Sequence, residues 1–94
     1  MAIKSFKDER LAAIFSRASP RRFPADLART TRRKLIMLDN AQSLEDLRAP
    51  PANRLEALKG DRAGQYSIRV NDRFRLTFVW TDEGPAEVEF VDYH

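Results

Sequence analysis

The fold follows from one stretch in the second half of the chain, YSIRVNDRFRLTFVW at residues 66–80. Apolar and polar residues alternate on both sides of a short polar segment, and this period of two is typical of half-buried β-strands. Directly opposed residues of a hairpin share one face of the sheet. A loop formed by residues 71–73 opposes Val70 with Phe74 and keeps all apolar residues together, whereas a two-residue loop divides them between the faces. The stretch therefore predicts an antiparallel hairpin with the longer loop.

Further strands are predicted on both sides of this hairpin. The turn-like residues 82–85 are followed by Ala86, Val88 and Phe90, which alternate with polar residues and predict a last strand. Upstream, residues 54–58 are a candidate strand, residues 59–64 a glycine-containing loop, and residues 1–5 a candidate first strand. If the apolar face packs on helices, the other face should be exposed to solvent. Its side chains would be Ser67, Arg69, Arg75, Thr77, Glu87, Glu89 and Tyr93.

The first half of the chain has the period of α-helices. A first helix is predicted to begin with Ser5 as N-cap and to end at Pro20, and a second to begin near Pro24. Residues 43–46 predict one further helical turn before the Pro50-Pro51 pair. The predicted buried positions are Leu11, Ile14, Phe15 and Ala18 in the first helix and Leu27, Leu35, Leu38 and Ala41 in the second. We therefore expect an α+β fold, with two N-terminal helices packed on one face of a small, mainly antiparallel sheet.

Length and composition exclude several classes of protein. Ninety-four residues predict a single domain, residues 1–94. The absence of cysteine excludes disulfide scaffolds and Cys-ligated metals, and one histidine cannot supply a multi-His site, so we expect no metal and no cofactor. No apolar run approaches the roughly 20 residues that span a bilayer, and the charged N-terminus does not have the pattern of a signal peptide. These features predict a cytoplasmic protein without a membrane partner.

The net charge of +3 is unevenly distributed. Basic residues are concentrated between residues 17 and 34, where Asp26 is the one acidic residue. Such a run is usually a solvated helix face. It also has the charge that binds phosphate backbones or an acidic segment of a partner protein, and the sequence leaves both interpretations open.

Three side chains that can exchange protons follow the last predicted strand: Asp92, Tyr93 and His94. In a folded sheet they would end near Arg75 on the neighbouring strand and near the loop of residues 59–62. A guanidinium binds an anionic phosphate, and an imidazole or phenol beside it can move protons. The combination is suited to phosphodiester chemistry, although a chain terminus is more often a frayed tail.

Several segments taken together resemble the HigB group of RelE/ParE-type toxins of bacterial type II toxin–antitoxin systems. They are IKSF at residues 3–6, NRLEALKGDRAG at residues 53–64, the hairpin up to Phe78, and VDYH at residues 91–94. The resemblance implies a RelE-like fold and a metal-independent endoribonuclease that enters the ribosomal A site and cuts mRNA there. It also implies a HigA-like helix-turn-helix antitoxin as partner, with operator DNA bound only through that antitoxin.

The same resemblance implies roles for individual residues. Arg75 would stabilise the charge that develops when a ribose 2′-OH attacks the adjacent phosphate, and Lys59 would bind phosphate. Proton transfer and substrate orientation would fall to Asp92, Tyr93 and His94. Further candidates for RNA binding are Arg62, Arg69 and Arg73.

Glu56 departs from the pattern, since some HigB proteins have a histidine at this position. A carboxylate is a weaker general base than an imidazole near neutral pH, and it repels phosphate. Glu56 is therefore a candidate catalytic residue and equally a candidate salt-bridge partner of a nearby arginine or lysine.

Two other functions stay open at this stage. A ParE-like toxin would poison DNA gyrase and leave mRNA intact, and a plain binding module would have no activity at all. The basic residues also have structural alternatives: residues 59–62 have the composition of a turn, and Arg69 can pair across the sheet with Glu87 or Glu89.

Overall fold

Helices precede strands along the chain, as the periodicity predicts. The computed structural model describes residues 2–92. Its helices are α1 (Glu9–Phe15), α2 (Ala28–Asn40) and α3 (Leu44–Arg48), and short 3-10 turns cover Ala25–Leu27, Pro51–Asn53 and Gly60–Arg62. The strands are β1 (Glu56–Ala57), β2 (Gln65–Arg69), β3 (Phe74–Thr81) and β4 (Gly84–Asp92). They form one antiparallel sheet in the order β1-β2-β3-β4. Within residues 2–92, no helix has both the length and the apolar character needed to cross a membrane.

The predicted hairpin register is confirmed. Arg69 lies opposite Arg75, and the Val70 N–H donates to the Phe74 carbonyl at 2.9 Å. The side chain of Asn71 closes the loop, because its Oδ1 accepts the backbone N–H groups of Arg73 at 2.9 Å and Phe74 at 2.7 Å. This use of an asparagine oxygen in place of a backbone carbonyl is typical of tight turns.

The core lies between the helices and the apolar face of the sheet. Its fully buried side chains include Leu11 and Ile14 of α1, Leu35 and Leu38 of α2, Leu47 of α3, and Ile68, Leu76 and Phe78 of the sheet. Most of them are positions predicted from the sequence. Burying one such side chain contributes about 1.5–3 kcal/mol, so this layer holds the helices on the sheet.

The predicted start of the first helix is wrong. Asp8, not Ser5, is the N-cap of α1, and its side chain accepts the Arg10 N–H at 3.0 Å. Residues 4–7 are engaged along β4 instead: Phe6 forms a single parallel bridge with Val88, and Ser5 Oγ accepts the Glu87 N–H at 2.9 Å. The helix therefore cannot begin before Asp8, and the predicted first strand is reduced to this bridge among the described residues.

Other element ends also differ from the prediction. Helix α1 ends at Phe15, well before Pro20, because Arg17 takes the left-handed conformation with φ 67°. Ala18 consequently lies beyond the helix and is exposed. Pro24 precedes a 3-10 turn, so α2 begins only at Ala28. Leu27, in that turn, is half-buried against the core.

The prediction of a uniformly exposed polar face is wrong as well. Ser67 and Thr77 are 0% exposed and Arg75 is 8% exposed. Arg62 contributes to this burial, because its Nη1 donates to Gln65 Oε1 on β2 at 3.1 Å and to Glu89 Oε1 on β4 at 3.2 Å. Since β3 lies between these strands, the Arg62 guanidinium crosses over it and shields the polar side chains beneath.

A β-bulge interrupts the pairing of β3 with β4. Thr77 lies opposite Glu89, whereas Val79 lies opposite Ala86, so the register shifts by one residue between them. Glu87 supplies the bulge geometry with φ 53° and is exposed. A bulge bends the strand locally and increases its twist. Tyr93, also predicted for the polar face, lies outside the described residues.

Candidate functional site

Two rows of side chains run across the sheet on the face opposite the helices, which we call the polar face. In the first row the register aligns Glu56, Ser67, Thr77 and Glu89 on the four strands. In the second row it aligns Arg69, Arg75 and Val91. Because opposed residues share a face, the structure brings three of the predicted site residues together: Glu56, Arg69 and Arg75.

The guanidinium of Arg75 is fixed by hydrogen bonds. Its Nε donates to Ser67 Oγ at 2.7 Å, and its Nη2 donates to the backbone carbonyl of Arg54 at 2.5 Å and to that of Ser67 at 3.4 Å. A planar guanidinium held through several of its donors is a preorganised cation, whose charge needs no reorganisation when an anion binds.

The carbonyl of Arg54 reaches Arg75 because the backbone is strained at this point. Arg54 has φ 44° and ψ 55°, the left-handed conformation, although it is not glycine. Such a conformation costs of order 1–3 kcal/mol and persists only where the surrounding structure enforces it. Strain of this kind is often found at functional sites.

Positive charge accumulates at this end of the sheet. Arg69 and Arg75 are directly opposed, and like charges at opposed positions destabilise a sheet. The side chain of Arg69 also pairs with exposed Asp72. Burial lowers the pKa of the half-buried Lys34 of α2, and the neighbouring cations Arg33 and Arg69 lower it further. An anion bound between Arg69 and Arg75 would relieve the repulsion between these two guanidinium groups.

A cleft borders the polar face at the edge formed by β1. It has a volume of about 450 Å³ and is lined by Glu56, Ala57, Leu58, Lys59 and Arg62. This volume lies within the usual range of small-ligand sites, roughly 300–1,000 Å³. The cleft brings two further predicted residues, Lys59 and Arg62, together with Glu56. Lys59 is exposed and forms no ion pair with any residue of the 2–92 range.

Arg73 and Asp92 are placed differently. Asp92 lies opposite Phe74 and therefore shares the face of the apolar core, not that of Arg75. Its Oδ2 accepts from Arg73 Nε at 2.9 Å and from Arg73 Nη2 at 2.8 Å. This hydrogen bond to the carboxylate is the main reason why the pKa of Arg73 is raised. Tyr93 and His94, the other two residues of the predicted C-terminal group, lie outside the described residues.

The site also contains groups that sequence reasoning missed. Ser67 was predicted on the right face but not as a ligand of Arg75, and its place two residues before Arg69 in the same strand was the available signal. The Arg54 carbonyl had no signal, because a backbone contact does not depend on residue type. Within the described part of the chain, no group of three or more His, Cys, Asp or Glu side chains is arranged to hold a metal ion.

Comparison with known proteins gives concordant matches. A family model described as the RelE-like toxin HigB of type II toxin–antitoxin systems matches residues 4–94. The toxin HigB-1 of Vibrio cholerae is 42% identical over 90 residues, which cover 95% of this chain and 94% of the relative. The endoribonuclease HigB of Proteus vulgaris is 32% identical over 92 residues, or 98% and 99% of the two chains. An uncharacterized protein of Haemophilus influenzae is 36% identical over 76 residues, covering 80% and 75%.

Proposed function

The chain belongs to the HigB-like toxin family of type II toxin–antitoxin systems, and from this membership we propose that it is a ribosome-dependent endoribonuclease. Its substrate is mRNA in the ribosomal A site, and its cleavage inhibits translation and arrests growth. The relative from Proteus vulgaris is named an endoribonuclease, which supports the reaction class. The place of action is the cytoplasm, where the ribosomes are, and residues 1–94 act as one toxin domain.

The observation that carries this proposal is the fixed guanidinium of Arg75 on the polar face. A phosphodiester gains negative charge on its nonbridging oxygens when a fifth oxygen attacks phosphorus. Arg75, held through Ser67 and the Arg54 carbonyl, is oriented before the substrate arrives. Removing one such preorganised donor typically lowers the rate of an enzyme 10²–10³-fold, so this residue can supply a large part of the catalysis.

The proposed reaction is an intramolecular transesterification. The ribose 2′-OH loses its proton and attacks the adjacent phosphorus, and the 5′-oxygen of the next nucleotide leaves and takes up a proton. The products are a 2′,3′-cyclic phosphate and a 5′-hydroxyl. Proton transfer is assigned to Glu56, Tyr93 and His94, and no metal ion is part of this scheme. Asp92, the fourth candidate from the motif, shares the face of the apolar core and is bonded to Arg73, so it would have to leave Arg73 and turn to the polar face before it could take part. The ribosome-bound protein aligns the attacking and leaving oxygens, which is itself worth several kcal/mol.

RNA binding is assigned to Lys59, Arg62 and Arg69 around the polar face and the cleft. It is also assigned to Arg73 of the hairpin loop, which pairs with Asp92 on the other face of the sheet. Lys59 is the best placed, because it is exposed at the cleft and unpaired within residues 2–92. Arg62 and Arg73 are engaged by Glu89 and Asp92, so each must exchange a carboxylate for a phosphate.

The family implies an antitoxin partner. We propose that this partner is a HigA-like helix-turn-helix protein, and that operator DNA is contacted only through it.

The test is translation-coupled cleavage. Purified protein is added to ribosomes programmed with a defined mRNA, and the 5′ ends of the fragments are mapped. Naked mRNA and the His94→Ala and Arg75→Ala variants serve as controls. We expect cuts in phase with the codons, present only with ribosomes and abolished in both variants. Intact mRNA from a preparation that still arrests growth would overturn the proposal, and DNA gyrase would then be the target to assay.

A further inference from the structure

We propose that Asn53 is a positioning residue for Arg75: its buried amide anchors the strained backbone whose carbonyl receives the guanidinium. Asn53 begins one of the segments that carry the family resemblance, but the resemblance assigns it no role in the site. The inference rests on the proposed nuclease function, because it assigns Asn53 a part in the geometry of that site.

Asn53 joins three helical elements to the edge of the sheet. It is 0% exposed and ends the 3-10 turn Pro51–Asn53. Its Nδ2 donates to the Leu47 carbonyl of α3 at 3.0 Å and lies 3.0 Å from the sulfur of Met37 on α2. Its Oδ1 accepts from Lys34 Nζ, also on α2, at 2.6 Å. Donor and acceptor ends of the amide are thus both engaged, as a buried polar side chain requires.

The next residue, Arg54, connects Asn53 to Arg75. Arg54 adopts φ 44°, and its N–H donates to the Pro51 carbonyl at 3.2 Å. Its own carbonyl then meets Arg75 Nη2 at 2.5 Å. A left-handed arginine persists only if its neighbours hold it, and the preceding residue, Asn53, is fully buried with both ends of its amide hydrogen-bonded. The contacts therefore form a continuous path from Lys34 through Asn53 and Arg54 to Arg75.

Removal of the Asn53 amide should leave the Arg54 backbone without its anchor. Without Asn53 anchoring the turn, Arg54 can relax to an ordinary conformation and withdraw its carbonyl from Arg75. The guanidinium would then keep its charge and lose its fixed orientation. Misplacement of a catalytic group by about 1 Å can lower the rate 10²-fold, whereas ground-state binding of RNA by charge is little affected.

The experiment combines a structural and a kinetic measurement on Asn53→Ala and Lys34→Met. Lys34→Met removes the donor to Asn53 Oδ1 and keeps an apolar stem of similar length. It therefore tests whether Asn53 positions Arg75 even if Asn53→Ala fails to fold. Lys7→Met is the matched control, since Lys7 is exposed beside β4 at the opposite edge of the sheet. The structural measurement is solvent exchange of the Arg75 Nε–H by ¹⁵N NMR, assigned from its absence in Arg75→Lys.

We expect Nε–H exchange at Arg75 to accelerate roughly tenfold or more in both variants and to stay at the wild-type rate in Lys7→Met. In the ribosome assay, kcat of Asn53→Ala and Lys34→Met should fall roughly 10- to 100-fold, with KM changed less than about twofold. Lys34→Arg, which keeps a donor to Asn53 Oδ1, should have a kcat close to that of the wild type. In an Arg75→Ala background, Asn53→Ala should add no further loss, because positioning acts only through Arg75.

Unchanged Arg75 exchange in Lys34→Met would overturn the inference, and so would an additive loss in the double variant. The exchange measurement needs no nuclease activity. If the wild-type protein cleaves no mRNA, the proposed function fails while the anchoring of Arg75 by Asn53 is still decided.

Discussion

The Nε of Arg75 on β3 and the Oγ of Ser67 on β2 are joined by a hydrogen bond of 2.7 Å between two buried residues. They are diagonal neighbours, since Ser67 lies opposite Thr77 and Arg75 lies opposite Arg69. A long side chain reaches a diagonal neighbour readily. The guanidinium therefore lies along the polar face toward β1, where the cleft and Glu56 are.

This relationship predicts separate effects for the two partners. Arg75→Lys keeps a positive charge but loses the planar donor set, so cleavage should fall about 10²–10³-fold. Ser67→Ala leaves a buried Nε–H without its acceptor and should lower the free energy of unfolding by about 1–3 kcal/mol. Urea denaturation measures the second effect. Ser43→Ala is the control, because Ser43 is exposed and caps no helix with its side chain. Wild-type stability in Ser67→Ala would contradict the buried bond.

Substitutions of Glu56 test whether its carboxylate is a catalytic base or a structural ion-pair partner. Glu56→His should raise the cleavage rate near neutral pH, roughly tenfold, because an imidazole is the better general base in that range. The measurement is single-turnover cleavage on programmed ribosomes between pH 6 and 8. Glu56→Gln is the companion variant and should be slower than wild type. If neither substitution changes the rate, Glu56 is not the base.

Lys59 should act as a phosphate contact. Lys59→Gln removes one exposed cation from the cleft, so the slope of log K against log salt for single-stranded RNA should become shallower by about 0.7. The comparison is Lys7→Gln, which removes the same charge at the opposite edge of the sheet. Fluorescence anisotropy at several salt concentrations measures both. Equal slopes in the two variants would show that RNA makes no specific phosphate contact with Lys59.

Glu89 should compete with RNA for Arg62. The two side chains pair at 3.2 Å, and both are partly exposed. Glu89→Gln should release Arg62 and tighten RNA binding about two- to fivefold, the range set by a partly exposed ion pair. Glu87→Gln is the matched control, since exposed Glu87 is close in sequence but makes no ion pair with any residue from 2 to 92. Tighter binding in both variants alike would indicate a general charge effect instead.

Asp8 should make stability depend on pH in the acid range. Its hydrogen bond to the Arg10 side chain is the main reason why the pKa of this carboxyl is lowered. Because the folded-state pKa lies below the unfolded one, the stabilisation is complete above about pH 4 and is lost as the pH falls through the folded-state pKa. Asp8→Ala should cost about 1 kcal/mol at pH 7 through loss of the N-cap.

Asp8→Asn separates the charge from the cap. It keeps a capping oxygen, so it should be less stable than wild type at pH 7 and approach it at low pH. Urea unfolding at pH 7 and pH 3 measures the difference. A constant difference between Asp8→Asn and wild type at both pH values would contradict this assignment.

Local periodicity explains which parts of the fold could be predicted. The alternation around residues 71–73 determined the hairpin register, and the spacing of Leu35 and Leu38 determined the buried face of α2. Element ends were predicted less well, as Asp8 and Phe15 show, because a helix competes at its ends with contacts that are distant in sequence. Ser5 had the right residue type for an N-cap but was already engaged by the N–H of Glu87, 82 positions away.

The sequence could propose which residue types form the candidate site, but it could not predict their geometry. The family resemblance nominated Arg75, Lys59 and Glu56 as candidates, and the strand period predicted that Arg69 and Arg75 share one face, which the register confirms. Only the tertiary structure laid Arg62 across β3, put Asp92 on the other face of the sheet, and led the Arg54 carbonyl to Arg75. The physical reason is that a period is a property of neighbouring residues. Hydrogen bonds between distant segments depend instead on the path of the whole chain, and here that path passes through the buried amide of Asn53.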